Sequence, residues 1–335
     1  MRIFTFFIFI IYFSCPILYA KDVETITPYK RHKIMILSDN DAYFDQYSDK
    51  YYSAGQRIGY TSKEFDFHSD NESKFFWLSK VSLYPKNNLT SFSINLNQEI
   101  YTPENKSYDV GYTDHPYAGG LYLSFFINQR RKYSLERIGI SLGTVGEYSF
   151  AKEVQDGIHS SVNKEHNKKL PWVNPVGNEF IVNLYYSYTG KVPMIQSKII
   201  SMHLVPSGSL SLGNDRTYFD FNTRLLIGHN LDNTFGPLKI NYGVDALGSF
   251  SDDFSIYLYG GLGYRFTARN IYIQGNTWED PFRHELEPFV YYFEGGVTIS
   301  YKHFEISYGI THKSKEYKFQ PKNHTYGTIL ISFAI

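Results

Sequence analysis

The chain is nearly free of cysteine. Its one thiol, Cys15, lies in the first apolar run, so the rest of the chain forms no disulfide and carries no thiol chemistry. Tryptophan is also scarce, with 3 residues against 31 Tyr and 27 Phe. Net charge is absent, since 33 basic side chains balance 33 acidic ones, which excludes the strongly basic surface of a nucleic-acid binder. No segment after the first 20 residues reaches the ~18 apolar residues that a membrane helix needs. If this chain meets a membrane, strands must do it. There is also no Gly-rich phosphate loop and no G-x-S-x-G elbow.

The apolar run FTFFIFIIYFSCPILYA, Phe4 to Ala20, is 17 residues long, uncharged and preceded by Arg2. It reads as a secretory signal over residues 1–20, leaving 21–335 as a single domain. That remainder is rich in Tyr and Phe, which favour strands. In SFSINLNQEIY, Phe92, Ile94, Leu96 and Ile100 share one face, and Ser93, Asn95, Asn97 and Glu99 share the other. NEFIVNLYYSY (Asn178–Tyr188) and HFEISYGIT (His303–Thr311) alternate in the same way. A soluble barrel would bury the greasy face, whereas an outer-membrane barrel shows it to lipid. The signal segment, the strand lengths and a lumen set of Ser, Asn, Glu, Tyr and Gly favour the second.

About twelve such segments occur, near 30–39, 51–62, 91–101, 117–130, 133–145, 176–189, 198–212, 216–228, 254–269, 288–300, 303–313 and 325–335. The expected fold is therefore all-β, an antiparallel up-and-down transmembrane barrel of about twelve strands. With a periplasmic N-terminus, the connections 40–50, 102–116 and 146–175 meet at the outer mouth. The last of these has Ala151, Val154, Ile158 and Val162 at helical spacing, which predicts a short amphipathic helix ending near Asn163.

Two places could carry chemistry. SDNDAYFDQYSDKYYSAGQRIGY, Ser38 to Tyr60, crowds Asp39, Asn40, Asp41, Asp45 and Asp49 into one loop. It lacks the Gly and closing Glu of an EF-hand, so the residues alone leave a solvated turn and an oxygen-ligand cation site both open. His159 lies beside the helical stripe, and on spacing alone it reads as a surface or packed histidine rather than a catalytic one. Gly213-Asn214-Asp215 reads as a tight hairpin.

Several stretches together, in order, give a resemblance. They are NDAYFDQYSDKYYSAGQRIGY, EIYTPE, DHPYAGGLYLSF, LGTVG with EVQDGIH, GNDRTYF and IYIQGNTW. The chain resembles the outer-membrane lipid A 3'-O-deacylase family. That resemblance implies a twelve-stranded outer-membrane barrel that hydrolyses the ester of the 3'-linked acyloxyacyl group of lipid A with the help of Ca²⁺. By motif it implies Asn40, Ser53, His159 and Glu165 as catalytic residues, Asp41 with Asn40 as metal ligands, and Lys106 as a contact to a lipid A phosphate. His159 is expected to be the general base, acting on lipopolysaccharide in the outer leaflet from a monomeric barrel. Ser53 stands where some relatives have Thr, and His115 stands where the family has Arg. The rival expectations are an outer-membrane phospholipase and a non-enzymatic porin or adhesin.

Overall fold

The computed structural model describes residues 26–45, 48–69, 74–105, 114–162, 169–278 and 284–335. The signal segment expected over 1–20 lies outside them. The chain forms β1 (Lys33–Asn40), β2 (Tyr51–Thr61), β3 (Leu89–Thr102), β4 (Ala118–Arg130), β5 (Ser134–Val145), β6 (Glu179–Gly190), β7 (Val192–Ile195), β8 (Ser201–Gly213), β9 (Arg216–His229), β10 (Ser255–Asn270), β11 (Phe289–Tyr301), β12 (Phe304–Lys313) and β13 (His324–Ala334). Neighbours pair antiparallel, β6 pairs directly with β8, and β1 pairs with β13 to close the ring. Twelve strands thus make the barrel. β7, which the alternation did not announce, is a short extension hydrogen-bonded to β8 alone. Asn214 and Asp215 form the tight β8–β9 turn.

The alternation resolves as apolar-out. On β3, Ile94 and Leu96 are exposed while Asn95, Asn97 and Glu99 are buried. On β10, Leu258, Leu262, Tyr264 and Phe266 are exposed and Arg265 is buried. A wall of this kind is stable only against hydrocarbon. Among the described residues no helix is long and apolar enough to cross a membrane.

One rim carries both ends of the described chain, where the amide of His32 donates to the carbonyl of Ile335 (3.0 Å). The opposite rim carries the β1–β2, β3–β4 and β5–β6 connections, and α1 (Ala151–Val162) lies in the last of them. That helix covers the stripe expected from spacing. A second short helix, α2 (Ile271–Gln274), follows β10 on the same rim and is buried.

The lumen is occupied by a segment that strand periodicity does not reveal. Between β9 and β10 the chain enters from the terminal rim and packs Phe235, Leu238, Val244, Ala246, Leu247 and Phe250 inside. Its tip reaches the far rim, where the hydroxyl of Tyr242 donates to Oε1 of Glu316 (2.7 Å). Gly243 makes the return at φ 108°, and a Cβ there would stand 2.7 Å from the Glu294 carboxylate. Charges hold this plug to the wall. Asp245 pairs with Arg57 (3.4 Å) on β2 and Arg137 (2.7 Å) on β5. Glu294 on β11 takes Arg224 (2.9 Å) from β9 and Lys239 (3.4 Å) from the plug. Buried charges survive only when paired in this way.

Candidate active site

The acidic loop is organised around Asp41. Asn40 ends β1 and caps a single 3-10 turn, its Oδ1 accepting from the amide of Ala42 (2.8 Å). Asp41 begins that turn and is 1% exposed. Its Oδ2 accepts from Ser48 Oγ and from the Lys50 amide, both at 2.9 Å. Those two bonds fix the 48–50 stretch and so fix Asp49 between them.

β2 then begins under strain. Tyr51 is buried at φ 56°, a left-handed conformation costly for a large side chain. The β2–β3 register shifts between Tyr52 and Ala54, so Ser53 is the extra residue of a β-bulge. Ser53 Oγ makes a short hydrogen bond with Thr102 Oγ1 at the end of β3. Thr102 donates its one proton to Asp49 Oδ1 (3.3 Å), so Ser53 is the donor of that pair.

α1 completes the site from outside. Ala54, Ile100 and Gly119 share strand parity with the exposed Ile58, Leu96 and Leu123, which places them on the outer wall. Ala54 and Ile100 are nonetheless buried, because Ala151 and Val154 of the helix pack on them. The PYAGG stretch makes this docking possible. A Cβ on Gly119 would lie 2.1 Å from Ala151 Cβ and 2.5 Å from Ser149 Oγ. A Cβ on Gly120 would lie 2.1 Å from the Tyr272 hydroxyl of α2. Gly119→Ala should therefore lift the start of α1, at a cost of about 1–3 kcal/mol. Faster limited proteolysis within 151–162 and at least a roughly 10-fold loss of turnover are the expected results.

Gln155 and His159 are four residues apart and lie on one helical face. Gln155 is held by the indole of Trp172, which donates to its Oε1 (3.0 Å). Trp172 stacks on Tyr117 at 5.2 Å. The Gln155 amide then donates to Asp49 Oδ1 (3.1 Å). His159 Nε2 stands 3.6 Å from Asp49 Oδ2, and the imidazole is about one-third exposed (30%).

The structure thus brings Asn40, Asp41, Ser53 and His159 to one rim, with Asp49 between them. Glu165 and Lys106 lie outside the described residues. The expected connections share one rim, and α1 lies on the outside of the barrel wall there. The helix and its partners sit against the outer wall, because α1 is amphipathic and its apolar side packs on Ala54 and Ile100. Thr102, Gln155 and Trp172 were not foreseen, although Gln155 stands one helical turn before His159.

For a metal, the nearby donors fit a hard cation in kind, since Asp41, Asp49, Asn40, Ser53 and Thr102 offer oxygen only. Among the described residues no three His, Cys, Asp or Glu converge, so these alone do not complete a coordination shell.

Beneath the site, Arg216 donates to both oxygens of Glu99 (3.0 and 2.7 Å), and the hydroxyls of Tyr101 and Tyr122 donate to the same carboxylate. His115, the family's Arg position, is buried and stacks on Tyr101 at 5.3 Å. Burial pushes its imidazole down from the ordinary 6.5 to about 4. The folded state therefore binds fewer protons than the unfolded chain between those values. His115's contribution to stability is complete above pH 6.5 and declines as pH falls toward 4. The loss is about 3 kcal/mol. Urea-unfolding midpoints taken from pH 7 to 4 should fall less steeply in His115→Phe than in the parent.

A closed twelve-strand barrel, apolar outside and polar within, defines an outer-membrane β-barrel protein. Residues 4–335 match the family described as outer membrane protein LpxR, and the chain belongs to that family. Among solved structures, LpxR from Salmonella typhimurium aligns with a TM-score of 0.72 at 17% identity, covering 90% of this chain and 99% of that one. The β domain of the Bordetella autotransporter BrkA aligns at TM-score 0.45 and 8% identity, covering 91% and 99%, too distant to inform the site. No curated protein sequence matches the chain.

Proposed function

We propose that this protein is a lipid A deacylase that hydrolyses the 3'-linked acyloxyacyl ester in the outer leaflet, with the α1 rim facing outward. The observation that carries this reading is His159 on a helix docked against the barrel's outer wall, with Asp49 beside it. That surface borders hydrocarbon, so a lipid can reach it without entering the lumen. The family assignment supports the same substrate. Phe44, Tyr148 and Phe150 are exposed near the loop and the helix start, and suit the boundary where acyl chains meet head groups.

In this scheme His159 takes a proton from water as the water oxygen attacks the ester carbonyl. The carbonyl–oxygen bond to the sugar breaks, the proton passes to that oxygen, and a free 3'-hydroxyl and the acyloxyacyl acid leave. Ca²⁺ held by Asp41 and Asn40 would polarise the carbonyl and stabilise its developing negative charge. Glu165 would complete the polar site and Lys106 would meet a phosphate of the head group. Ser53 acts as a supporting hydroxyl, since its proton is committed to Thr102 and it is 3% exposed. Trapping an acyl-enzyme on Ser53 would overturn that part.

Mass spectrometry of lipid A from cells with and without the protein, with and without added calcium, tests the whole reading. The expected result is loss of the acyloxyacyl mass only when protein and calcium are both present. Cleavage of phospholipid instead, or no change in any lipid, rejects it.

A further inference from the structure

We infer that Asp49 is the positioning residue of His159, and that it holds the imidazole as the Nε2–H tautomer so that Nδ1 is the atom that takes the proton from water. Asp49 Oδ2 is the carboxylate oxygen facing Nε2, at 3.6 Å. An ionised carboxylate only accepts, so the ring nitrogen facing it must carry the hydrogen. The distance is slightly beyond a hydrogen bond, so the contact in this structure is electrostatic.

What distinguishes Asp49 from an acid on a solvated loop is its support. Four elements fix it. Asp41 anchors the residues on either side of it through Ser48 Oγ and the Lys50 amide. Thr102 at the end of β3 and Gln155 on α1 both donate to Oδ1. Trp172, from the chain beyond the helix, sets the Gln155 amide so that its nitrogen points at Asp49. Both of these donors meet Oδ1, and Oδ2 is the oxygen directed at His159. A carboxylate held this way limits the rotation of the imidazole, which is otherwise partly exposed.

The arrangement makes a sharp statement about Asp49→Asn. The two donors would keep the amide oxygen in the Oδ1 position. The NH₂ group would then face Nε2 and donate to it. His159 would be driven to the Nδ1–H tautomer, with its basic lone pair turned away from Nδ1. A wrong tautomer costs an enzyme far more than a lost contact does. The expected fall in kcat is about 100-fold, with KM changed by less than about 3-fold. Asp49→Glu should recover part of that loss. Gln155→Leu, which releases one of the donors, should lower kcat by about 10-fold.

The kinetic arm rests on the deacylase reading; the tautomer arm does not. Protein labelled with ¹⁵N-histidine and folded in detergent micelles gives imidazole nitrogen shifts, and the signals missing from His159→Ala identify His159. The expected result is a protonated Nε2 and an unprotonated Nδ1 in the parent, exchanged in Asp49→Asn. A mixed tautomer in the parent, or one unchanged by Asp49→Asn, overturns the assignment. So does a tautomer that responds to Glu165→Gln and not to Asp49→Asn. If Asp49→Asn does not fold, Gln155→Leu decides instead. Mixed tautomers with reduced kcat support the role, and an unchanged tautomer refutes it. If the parent protein shows the expected tautomer but cleaves no lipid A, the deacylase reading fails and the positioning of His159 stands.

Discussion

His159→Ala should remove lipid A deacylation, lowering kcat by about 10³-fold, while the barrel still folds. The size follows from the role. A positioned general base is worth roughly 10²–10⁴-fold, and no second imidazole among the described residues shares the helical face that His159 occupies. Folding should survive because the side chain is partly exposed and packs into none of the buried clusters. Asp41→Ala should also abolish turnover, by a different route. It strips two hydrogen bonds from Ser48 and Lys50, loosens the backbone on either side of Asp49, and removes a proposed calcium ligand. The two variants are separable by calcium titration of the folded proteins. His159→Ala should still respond to calcium, and Asp41→Ala should not. Retained activity in His159→Ala, measured by mass spectrometry of lipid A in detergent, would remove the general base from the scheme.

The second large effect concerns stability. Arg216→Met should cost about 3–5 kcal/mol, because it leaves the Glu99 carboxylate buried against Tyr101 and Tyr122 with no cation. Glu99 has no exposure to water, so solvent cannot replace the guanidinium. The double variant Glu99→Leu/Arg216→Met should be close to the parent, since two apolar groups leave no stranded charge. A downward shift of the urea midpoint in the single variant, reversed in the double one, is the expected pattern. Equal midpoints in the parent and the single variant would mean that the pair is worth no more than a surface bridge.

The two effects differ in how far they could be read before any coordinates. Alternation placed the twelve wall strands to within a few residues, because a strand with lipid on one side and a polar interior on the other has a two-residue period that needs no tertiary information. Glu99 and Arg216 were visible as lumen or turn residues, but not as partners, since 117 positions separate them. The helix stripe of Ala151 and Val154 was legible for the same reason as the strands. What it docks on was not, because Gly119 declares itself only when another backbone approaches. The plug was silent. Its stretch around Lys239, Asn241, Gly243 and Asp245 has no period, and its polar residues look solvated until Arg57, Arg137 and Glu294 are seen around them. At the site, Asn40, Asp41 and His159 entered through resemblance, whereas Asp49 needed the fold. Nothing in a run of acids says which one will meet a helix from over a hundred residues away.

The plug in the lumen has a further consequence. Lys33 binds the plug from β1 and Lys191 binds its base from beyond β6, while β2, β5, β9, β10 and β11 supply further charged anchors, so the stopper is moored around the circumference. Among the described residues the middle of the cylinder is therefore threaded by its own chain rather than left as a wide aqueous path between the two rims.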